Sequence, residues 1–271
     1  MVVGRTRLAR ELSALGLRGG AVILVHCRMS ALGTVVGGAE TVVRALLDVV
    51  GPEGTLVAYV GWDDAPPDDP DSLAPGDREL FLAEQPVYDP AVARARRDHG
   101  RIAEVLRTWP GAVHSRHPEA GVAAVGRDAD AVALPHPLDD AYGHGTPYAR
   151  VVEHGGQVVL LGAPLDTVTL VHHAEAIARV PGKRRVAWRC PVLVQGRREW
   201  RTLHDIDTGR GALSYERLTG GVDYVEYFAR ATLERGAGRC GPLGAGTGHV
   251  FEARRLTEST VDAIESAFAQ S

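Results

Sequence analysis

The chain has 271 residues, of which 45% are apolar, 24% charged and 6% aromatic, as in ordinary globular proteins. This composition excludes wholesale disorder, collagen and repeat tracts. With 30 basic and 34 acidic residues the net charge is −4, which argues against a strongly basic nucleic-acid-binding protein. The N-terminal residues carry charges throughout and no run of eighteen apolar residues occurs, so we expect a cytoplasmic protein without signal peptide or membrane span.

The first sixty residues predict a helix followed by a strand–helix–strand unit. Leucines from Leu8 to Leu17 approximate one helical face, which ends at a pair of glycines. Residues 21–26 and 55–60 are short apolar runs typical of buried strands, and residues 39–50 between them have the apolar spacing of a helix. This order forms a βαβ unit, which implies a parallel sheet covered by helices.

The rest of the chain predicts further strands and helices around one long loop, residues 62–100. We expect helices at 102–109, 169–179, 223–235 and 259–269, a strand at 158–161, a short strand or turn at 121–126, and a hairpin turning at Gln195 and Gly196 within residues 185–203. No internal repeat or clear linker divides the chain. We therefore predict one α/β domain over residues 1–271, with a β-rich or irregular C-terminal portion.

The sharpest local signal is a histidine and a glutamate three residues apart near the start of a predicted helix. His172 and Glu175 lie on one helical face, so the carboxylate can orient the imidazole as in a general base. Thr169 lies one turn earlier and offers a hydroxyl, and the helix start offers free N–H groups to a developing negative charge.

Two other interpretations of this helix stay open. A purely structural pair would show the same spacing, because motifs of this length also arise by chance. A metal site through His172, His173 and Glu175 is disfavoured, because adjacent helical residues diverge and no more than two of the three converge. The cysteines Cys27, Cys190 and Cys240 are far apart and odd in number, so we expect reduced thiols and neither a disulfide nor a CxxC metal site.

Two further segments could bind charged groups. Glycines at 33, 37 and 38 lie at a strand-to-helix turn, where backbone N–H groups favour phosphates, although a plain tight turn explains them as well. Residues 63–71, next to Trp62, hold five carboxylates and no basic residue, and Asp205 and Asp207 form a second acidic pair. These carboxylates would attract a polycation, although aspartates beside prolines are also common in solvated loops.

These features together resemble the aminoglycoside 3-N-acetyltransferase family. The resemblance covers nearly the whole chain in order, and the number of collinear motifs makes it specific. The matching stretches are VH at 25–26, SALG at 30–33, VGGAETV at 36–42, GPEGTL at 51–56, SRHP at 115–118, HPLDD at 136–140, LLGAPL at 160–165 and TLVHHAEA at 169–176.

The resemblance implies a three-layer α/β/α fold with a central, mostly parallel or mixed sheet, unrelated to the GNAT acetyltransferases. It implies transfer of acetyl from acetyl-CoA to the 3-amino group of the 2-deoxystreptamine ring of aminoglycosides, which confers antibiotic resistance. Acetylation removes a positive charge and weakens binding of the drug to ribosomal RNA. The expected partners are acetyl-CoA and the antibiotic, with no nucleic acid, membrane or metal, in a monomer or homodimer.

Site residues follow from the same resemblance. His172 is expected to be the general base, with Glu175 as its partner and Thr169 assisting at the tetrahedral intermediate. Many relatives have a small hydroxyl residue where this chain has Arg28, and an acidic residue where it has His144. Expected acetyl-CoA contacts are Met29, Ser30, Val35, Val36, Gly37, Gly38, Thr41, Ser115 and His117; expected aminoglycoside contacts are Trp62, Asp63, Asp64, Asp205, Asp207 and Glu226.

The chemistry agrees with these assignments, because an ammonium group cannot attack a thioester until a base removes its proton. We expect direct attack without an acetyl-enzyme, because no cysteine is adjacent to the dyad in sequence; Cys27 is better explained as a small residue near CoA. The alternatives are a relative that acetylates a different amine, a metal-dependent hydrolase and a CoA- or polyamine-binding module without catalysis. The sequence does not distinguish kanamycin-, gentamicin- and apramycin-like substrates.

Overall fold

The fold is described from a computed structural model, which covers residues 1–67 and 70–269. Asp68 and Asp69 of the predicted acidic loop lie outside the described residues. Across the part described, every helix is too short or too polar to span a bilayer.

A seven-stranded mixed sheet runs through the described residues in the order β10-β11-β7-β2-β4-β6-β5. Strand β2 is parallel to both β4 and β7, whereas the outer pairs are antiparallel. Two small two-stranded sheets, β1-β3 and β8-β9, lie outside it. The strands are β1 Val2–Val3, β2 Val22–Cys27, β3 Thr34–Val35, β4 Thr55–Tyr59, β5 Val113–His114, β6 Val122–Gly126, β7 Gln157–Leu161, β8 Arg185–Val194, β9 Arg197–Ile206, β10 Gly238–Leu243 and β11 Gly246–Glu252.

Helices cover both faces of this sheet. Side chains alternate along each strand, so β2 sends Leu24 to one face and Ile23 and Val25 to the other. Both sets are buried, which explains the continuous apolar run in the sequence. The helices are α1 Arg5–Ala14, α2 Gly38–Val50, α3 Pro75–Glu84, α4 Gly100–Arg107, α5 Ala129–Ala133, α6 Pro147–Glu153, α7 Leu170–Ile177, α8 Glu216–Thr219, α9 Tyr224–Glu234 and α10 Ala253–Phe268.

The three layers confirm the predicted fold class. Helices α1, α2 and α4 pack on one face with Ile23 and Leu46, and helices α5, α6, α7, α9 and α10 pack on the other with Leu24 and Phe228. The predicted βαβ unit is β2-α2-β4, whose strands pair in parallel from Val22 opposite Thr55. The predicted hairpin is β8-β9, which turns through Gln195 and Gly196, both with positive φ.

Several predicted boundaries and one loop are wrong. The last helix begins at Ala253 rather than at residue 259, because it follows strand β11 directly. The predicted long loop, residues 62–100, contains helix α3. None of the side chains of α3 is buried, so its sequence lacks the apolar face from which a helix is predicted. The C-terminal portion, expected to be β-rich or irregular, holds the hairpins β8-β9 and β10-β11 together with helices α8, α9 and α10.

The topology brings the chemically distinctive segments to one edge of the sheet. The carboxyl ends of β2, β4 and β7 are adjacent. After β2 and β4 the chain continues on one face of the sheet, and after β7 it continues on the other face. In sheets of this kind, ligands bind at the carboxyl ends of the strands where the strand order reverses. His26, Tyr59 and Ala163 end or follow these strands and line one cleft.

Candidate active site

The predicted histidine–glutamate pair forms in the fold. His172 and Glu175 lie one turn apart on α7, and the imidazole Nδ1 is 2.9 Å from Glu175 Oε2. The carboxylate accepts only, so Nδ1 carries the proton and Nε2 keeps its lone pair. Because the His172 side chain is 16% exposed and that of Glu175 is fully buried, the imidazole can meet a ligand while the carboxylate is sealed from water.

His172 lies at a cleft of about 640 Å³, which we call the His172 cleft. Thr169 lies in this cleft with His172, as their spacing predicted. The start of α4 forms the opposite wall, where Gly100 has a φ of +79° and a Cβ would lie 3.3 Å from the Cys27 carbonyl oxygen. The cleft is lined by residues 25–30, Tyr59, residues 98–103, Ala163, Pro164, Asp166, Thr167, Thr169 and His172.

A second cleft of about 720 Å³, the acidic cleft, adjoins the first at Asp98, which lines both. Among the described residues that line it, five are carboxylates and two are arginines. Tyr142 connects it to the dyad, because its ring centroid is 5.3 Å from that of His172. The lining residues are Trp62, Asp63, Ala65, Pro66, Arg96, Arg97, Asp98, Pro118, Glu119, Tyr142, residues 186–188, Cys190 and residues 205–209.

The ion pairs and hydrogen bonds of each cleft carboxylate determine how much negative charge it offers to a ligand. Asp63 is paired with Arg97, whose guanidinium is 3.0 Å away, and Asp207 is paired with Arg210 at the same distance. Asp205 is paired with no cation in the described ion pairs; its oxygens accept from the backbone nitrogens of Ile206, at 2.6 Å, and Ala141, at 2.8 Å. Burial raises the pKa of Asp205 to about 6, against those hydrogen bonds, which lower it.

Asp207 and Asp98 are held ionised by arginines. Partial burial raises the pKa of Asp207, but hydrogen bonds from the backbone and guanidinium of Arg210 outweigh it, and the net pKa is lowered. The Arg96 guanidinium lowers the pKa of Asp98. Both carboxylates therefore stay negative at neutral pH, which makes the cleft suited to a cation.

Histidines at the base of the His172 cleft are neutral. Burial, together with the nearby His99 and His172, lowers the pKa of His26 to about 3. Burial also lowers the pKa of His99, whose Nδ1 is 3.0 Å from the Val60 carbonyl oxygen and whose ring stacks on Tyr59 at 4.1 Å. These neutral rings add no positive charge next to His172.

The residues expected to contact acetyl-CoA lie in three different places. Met29 and Ser30 line the His172 cleft. Ser115 and His117 are buried and do not line this cleft. The Ser115 hydroxyl accepts a hydrogen bond from the Val122 backbone nitrogen and contacts the His136 ring, and the His117 ring stacks on His136 at 4.7 Å. The remaining five lie at the start of α2 and line neither cleft: Val35, Val36, Gly37, Gly38 and Thr41.

The expected aminoglycoside contacts divide as well. Trp62, Asp63, Asp205 and Asp207 line the acidic cleft. Asp64 does not; it is exposed and paired with Arg94 at 3.2 Å. Glu226 lines neither cleft and is paired with Arg230 on the surface of α9.

Sequence reasoning missed several cleft residues. Tyr142, Arg96 and Glu119 line the acidic cleft, but each comes from a separate segment that only the folded chain brings together. The run from Arg96 to Arg101, with a glycine between basic residues before a helix, was the one available signal for the wall of the His172 cleft. Arg28 lines that cleft, whereas His144 is exposed and lines neither cleft.

Comparison with known proteins shows the family of this chain. The family model described as aminoglycoside 3-N-acetyltransferase matches residues 24–265. This chain belongs to the aminoglycoside 3-N-acetyltransferase family. It is 50% identical over 264 residues to aminoglycoside N(3)-acetyltransferase VIII of Streptomyces fradiae, covering 97% of this chain and 92% of the relative.

Solved structures of aminoglycoside acetyltransferases share the fold. The crystal structure of aminoglycoside acetyltransferase AAC(3)-Xa is 46% identical and covers 98% of this chain and 94% of that one, with a TM-score of 0.96. The structure of AAC-IIIb in a binary complex with CoASH is 38% identical and covers 100% of this chain and 99% of that one, with a TM-score of 0.89. The chain is therefore an aminoglycoside 3-N-acetyltransferase in fold and in family.

Among the described residues, no group of three or more histidine, cysteine, aspartate or glutamate side chains could hold a metal ion. Independence from metal stays a prediction for this enzyme.

Proposed function

We propose that this enzyme transfers the acetyl group of acetyl-CoA to the 3-amino group of the 2-deoxystreptamine ring of aminoglycoside antibiotics, with His172 as the general base, and so confers resistance. The observation that carries the proposal is the position of His172, which is held by Glu175 at 2.9 Å, lines one cleft and contacts Tyr142 of the other. Two substrates that bind in adjacent clefts would meet at this imidazole.

The His172 cleft suits the pantetheine arm and phosphates of acetyl-CoA. Met29, Ile102 and Ala163 offer apolar contact along it, and Arg28 and Arg101 offer guanidinium groups to phosphates at its exposed side. The N-terminus of α4 adds backbone N–H groups beside them. The solved relative AAC-IIIb binds CoASH, which supports the same ligand class here.

The acidic cleft suits a sugar that carries several ammonium groups. Asp98 and Asp207 stay negative at neutral pH, and Asp205 adds a charge above about pH 6. Asp63 lies in the same cleft in an ion pair with an arginine. An ionised carboxylate has about four acceptor positions, so an ammonium group can bind beside an arginine. Carboxylates grouped in a cleft attract cations at a distance and hydrogen-bond them on contact. Trp188, which is partly exposed, offers an apolar ring to the sugar.

The proposed reaction is a direct attack in a ternary complex. The lone pair of the neutral 3-amino group forms a bond to the thioester carbonyl carbon, and His172 Nε2 accepts the proton that this nitrogen loses as the bond forms. The carbon–sulfur bond breaks, and the thiolate takes up the proton to leave the N-acetyl product and free CoA. A substrate that binds as the ammonium form releases one further proton to solvent. Glu175 stabilises the imidazolium, and Thr169 offers its hydroxyl to the oxyanion.

The state of Cys27 favours direct attack over an acetyl-enzyme. Its thiol lines the His172 cleft, but burial raises its pKa to about 12. The thiolate, which is the nucleophilic form, is therefore scarce at neutral pH.

Thiol release from acetyl-CoA, measured across an aminoglycoside panel after treatment with a chelator, tests the proposal. We expect thiol release only with substrates bearing a 3-amino group, one acetyl per product by mass spectrometry, and NMR assignment of the acetyl to that nitrogen. Acetylation of another amine would leave the dyad in place but overturn the substrate assignment. Loss of activity with the chelator and its return with a divalent metal would favour the hydrolase alternative instead.

A further inference from the structure

The second carboxylate oxygen of Glu175 accepts two hydrogen bonds from other parts of the chain. While Oε2 faces His172, Oε1 accepts from the Ala212 backbone nitrogen at 2.8 Å and from the Tyr215 hydroxyl at 2.9 Å. All three groups are buried, so no water competes for these hydrogen bonds. A carboxylate held at one oxygen by two donors cannot rotate about its terminal bond, and this fixes the direction in which the other oxygen accepts.

The segment that supplies these donors, residues 207–215, is itself rigidly tied. Arg184 donates through its guanidinium to the carbonyls of Arg210, Gly211 and Leu213. Gly211 has a φ of +80°, and a Cβ there would lie 2.8 Å from the Tyr215 ring, so the tight path of the chain requires glycine.

The same segment lines the acidic cleft at its other end. Asp207, Thr208 and Gly209 are cleft residues, and the Tyr224 hydroxyl donates to the Thr208 carbonyl at 2.7 Å. Because that hydroxyl has one proton, its 3.4 Å approach to His172 Nδ1 is a secondary contact, and Glu175 remains the partner of His172.

We infer that Tyr215 is a positioning residue for the dyad: through its hydroxyl on Glu175 it aligns His172, as part of a segment that also forms the wall of the acidic cleft. This inference rests on the proposed role of His172 as the base. Tyr215 contacts neither cleft and acts only through Glu175.

The alternative is that Tyr215 is simply a core residue. Its ring stacks on Tyr224 at 4.9 Å and meets Phe228 edge-on at 5.6 Å, and these contacts depend on the ring and not on the hydroxyl. Tyr215→Phe keeps the ring and removes the donor, so it separates the two roles. Tyr148→Phe is the matched control, because the buried Tyr148 hydroxyl donates to the Ala120 carbonyl at 2.8 Å and its side chain lines neither cleft.

For Tyr215→Phe we expect kcat to fall roughly tenfold, the loss typical of one hydrogen bond to a charged group, with both KM values within about twofold of wild type. With one donor removed, Glu175 Oε2 carries more charge and holds the imidazolium more firmly. The acid limb of the kcat profile should therefore move to higher pH. Tyr148→Phe should lower Tm without changing kcat or its pH profile.

A second readout does not depend on acetyl transfer. The Nδ1–H proton of His172 should give a low-field NMR signal, assigned by its loss in His172→Ala, and Tyr215→Phe should shift it while Tyr148→Phe leaves it unchanged. A wild-type signal and pH profile in Tyr215→Phe would overturn the positioning role even if acetylation proceeds. A shifted signal in an enzyme that transfers no acetyl would support the positioning role and overturn the proposed function alone.

Discussion

Replacing Glu175 with glutamine should move the proton of the neutral His172 imidazole from Nδ1 to Nε2. In Glu175→Gln the side chain keeps its shape, but one oxygen becomes an NH₂ group. The Oε1 position faces two donors, Ala212 at 2.8 Å and Tyr215 at 2.9 Å, so the amide oxygen must take that position. The NH₂ group then faces His172 and donates to Nδ1, which forces the proton onto Nε2 and removes the base.

The expected loss follows from this geometry. A general base contributes roughly 10²–10⁴-fold to kcat, and fixing the wrong histidine tautomer removes nearly all of it; we expect a fall of about 10³–10⁴-fold. Thiol release at saturating substrates measures kcat, and Tm shows whether the buried side chain still packs. Glu252→Gln is the control, because Glu252 is bonded to Arg18 and Gln157 at the opposite edge of the sheet. A Glu175→Gln enzyme whose kcat stays within tenfold of the wild-type value would show that the tautomer of His172 does not control catalysis.

Three further predictions concern the clefts. Asp63→Asn should raise KM for the aminoglycoside roughly fivefold, whereas Asp64→Asn, outside the cleft, should not; equal effects would mean that the loop acts only through its overall charge. Burial raises the pKa of Asp205 to about 6, above that of an unfolded aspartate, so the KM for the aminoglycoside should rise below pH 6 in the wild type but not in Asp205→Asn. As the pH is lowered from 6 to 4, the free energy of unfolding of the wild type should increase relative to that of Asp205→Asn. Parallel pH profiles for the two proteins would contradict this. Arg101→Ala should raise KM for acetyl-CoA about tenfold at low salt, while Arg78→Ala on α3 should not; no change would remove Arg101 from phosphate binding.

The sequence predicted those parts of the fold that rest on local pattern. The β2-α2-β4 unit followed from two buried apolar runs around an amphipathic helix, and the contact between His172 and Glu175 followed from helical spacing. Helix α3 could not be predicted in the same way, because it packs with exposed, mixed side chains on the β8-β9 hairpin.

The rest of the candidate site depends on long-range contacts. Tyr215 is 40 residues from Glu175, and Tyr142 is 83 residues from its hydroxyl partner Tyr59, so no local period connects them. Ser115 and His117 show the reverse case: they belong to a stretch that matches the family, but burial against His136 keeps them from both clefts. Motifs therefore indicated the family more reliably than they indicated which side chains face a ligand.

The turnover of the His172→Ala variant decides whether this histidine is the general base. With saturating acetyl-CoA and a 3-amino aminoglycoside, kcat should fall by roughly 10²–10⁴-fold. The affinity for each substrate, measured separately by calorimetry, should change little. A variant that binds both substrates and turns over within about threefold of the wild-type rate would contradict this role, since no group worth that little serves as the general base.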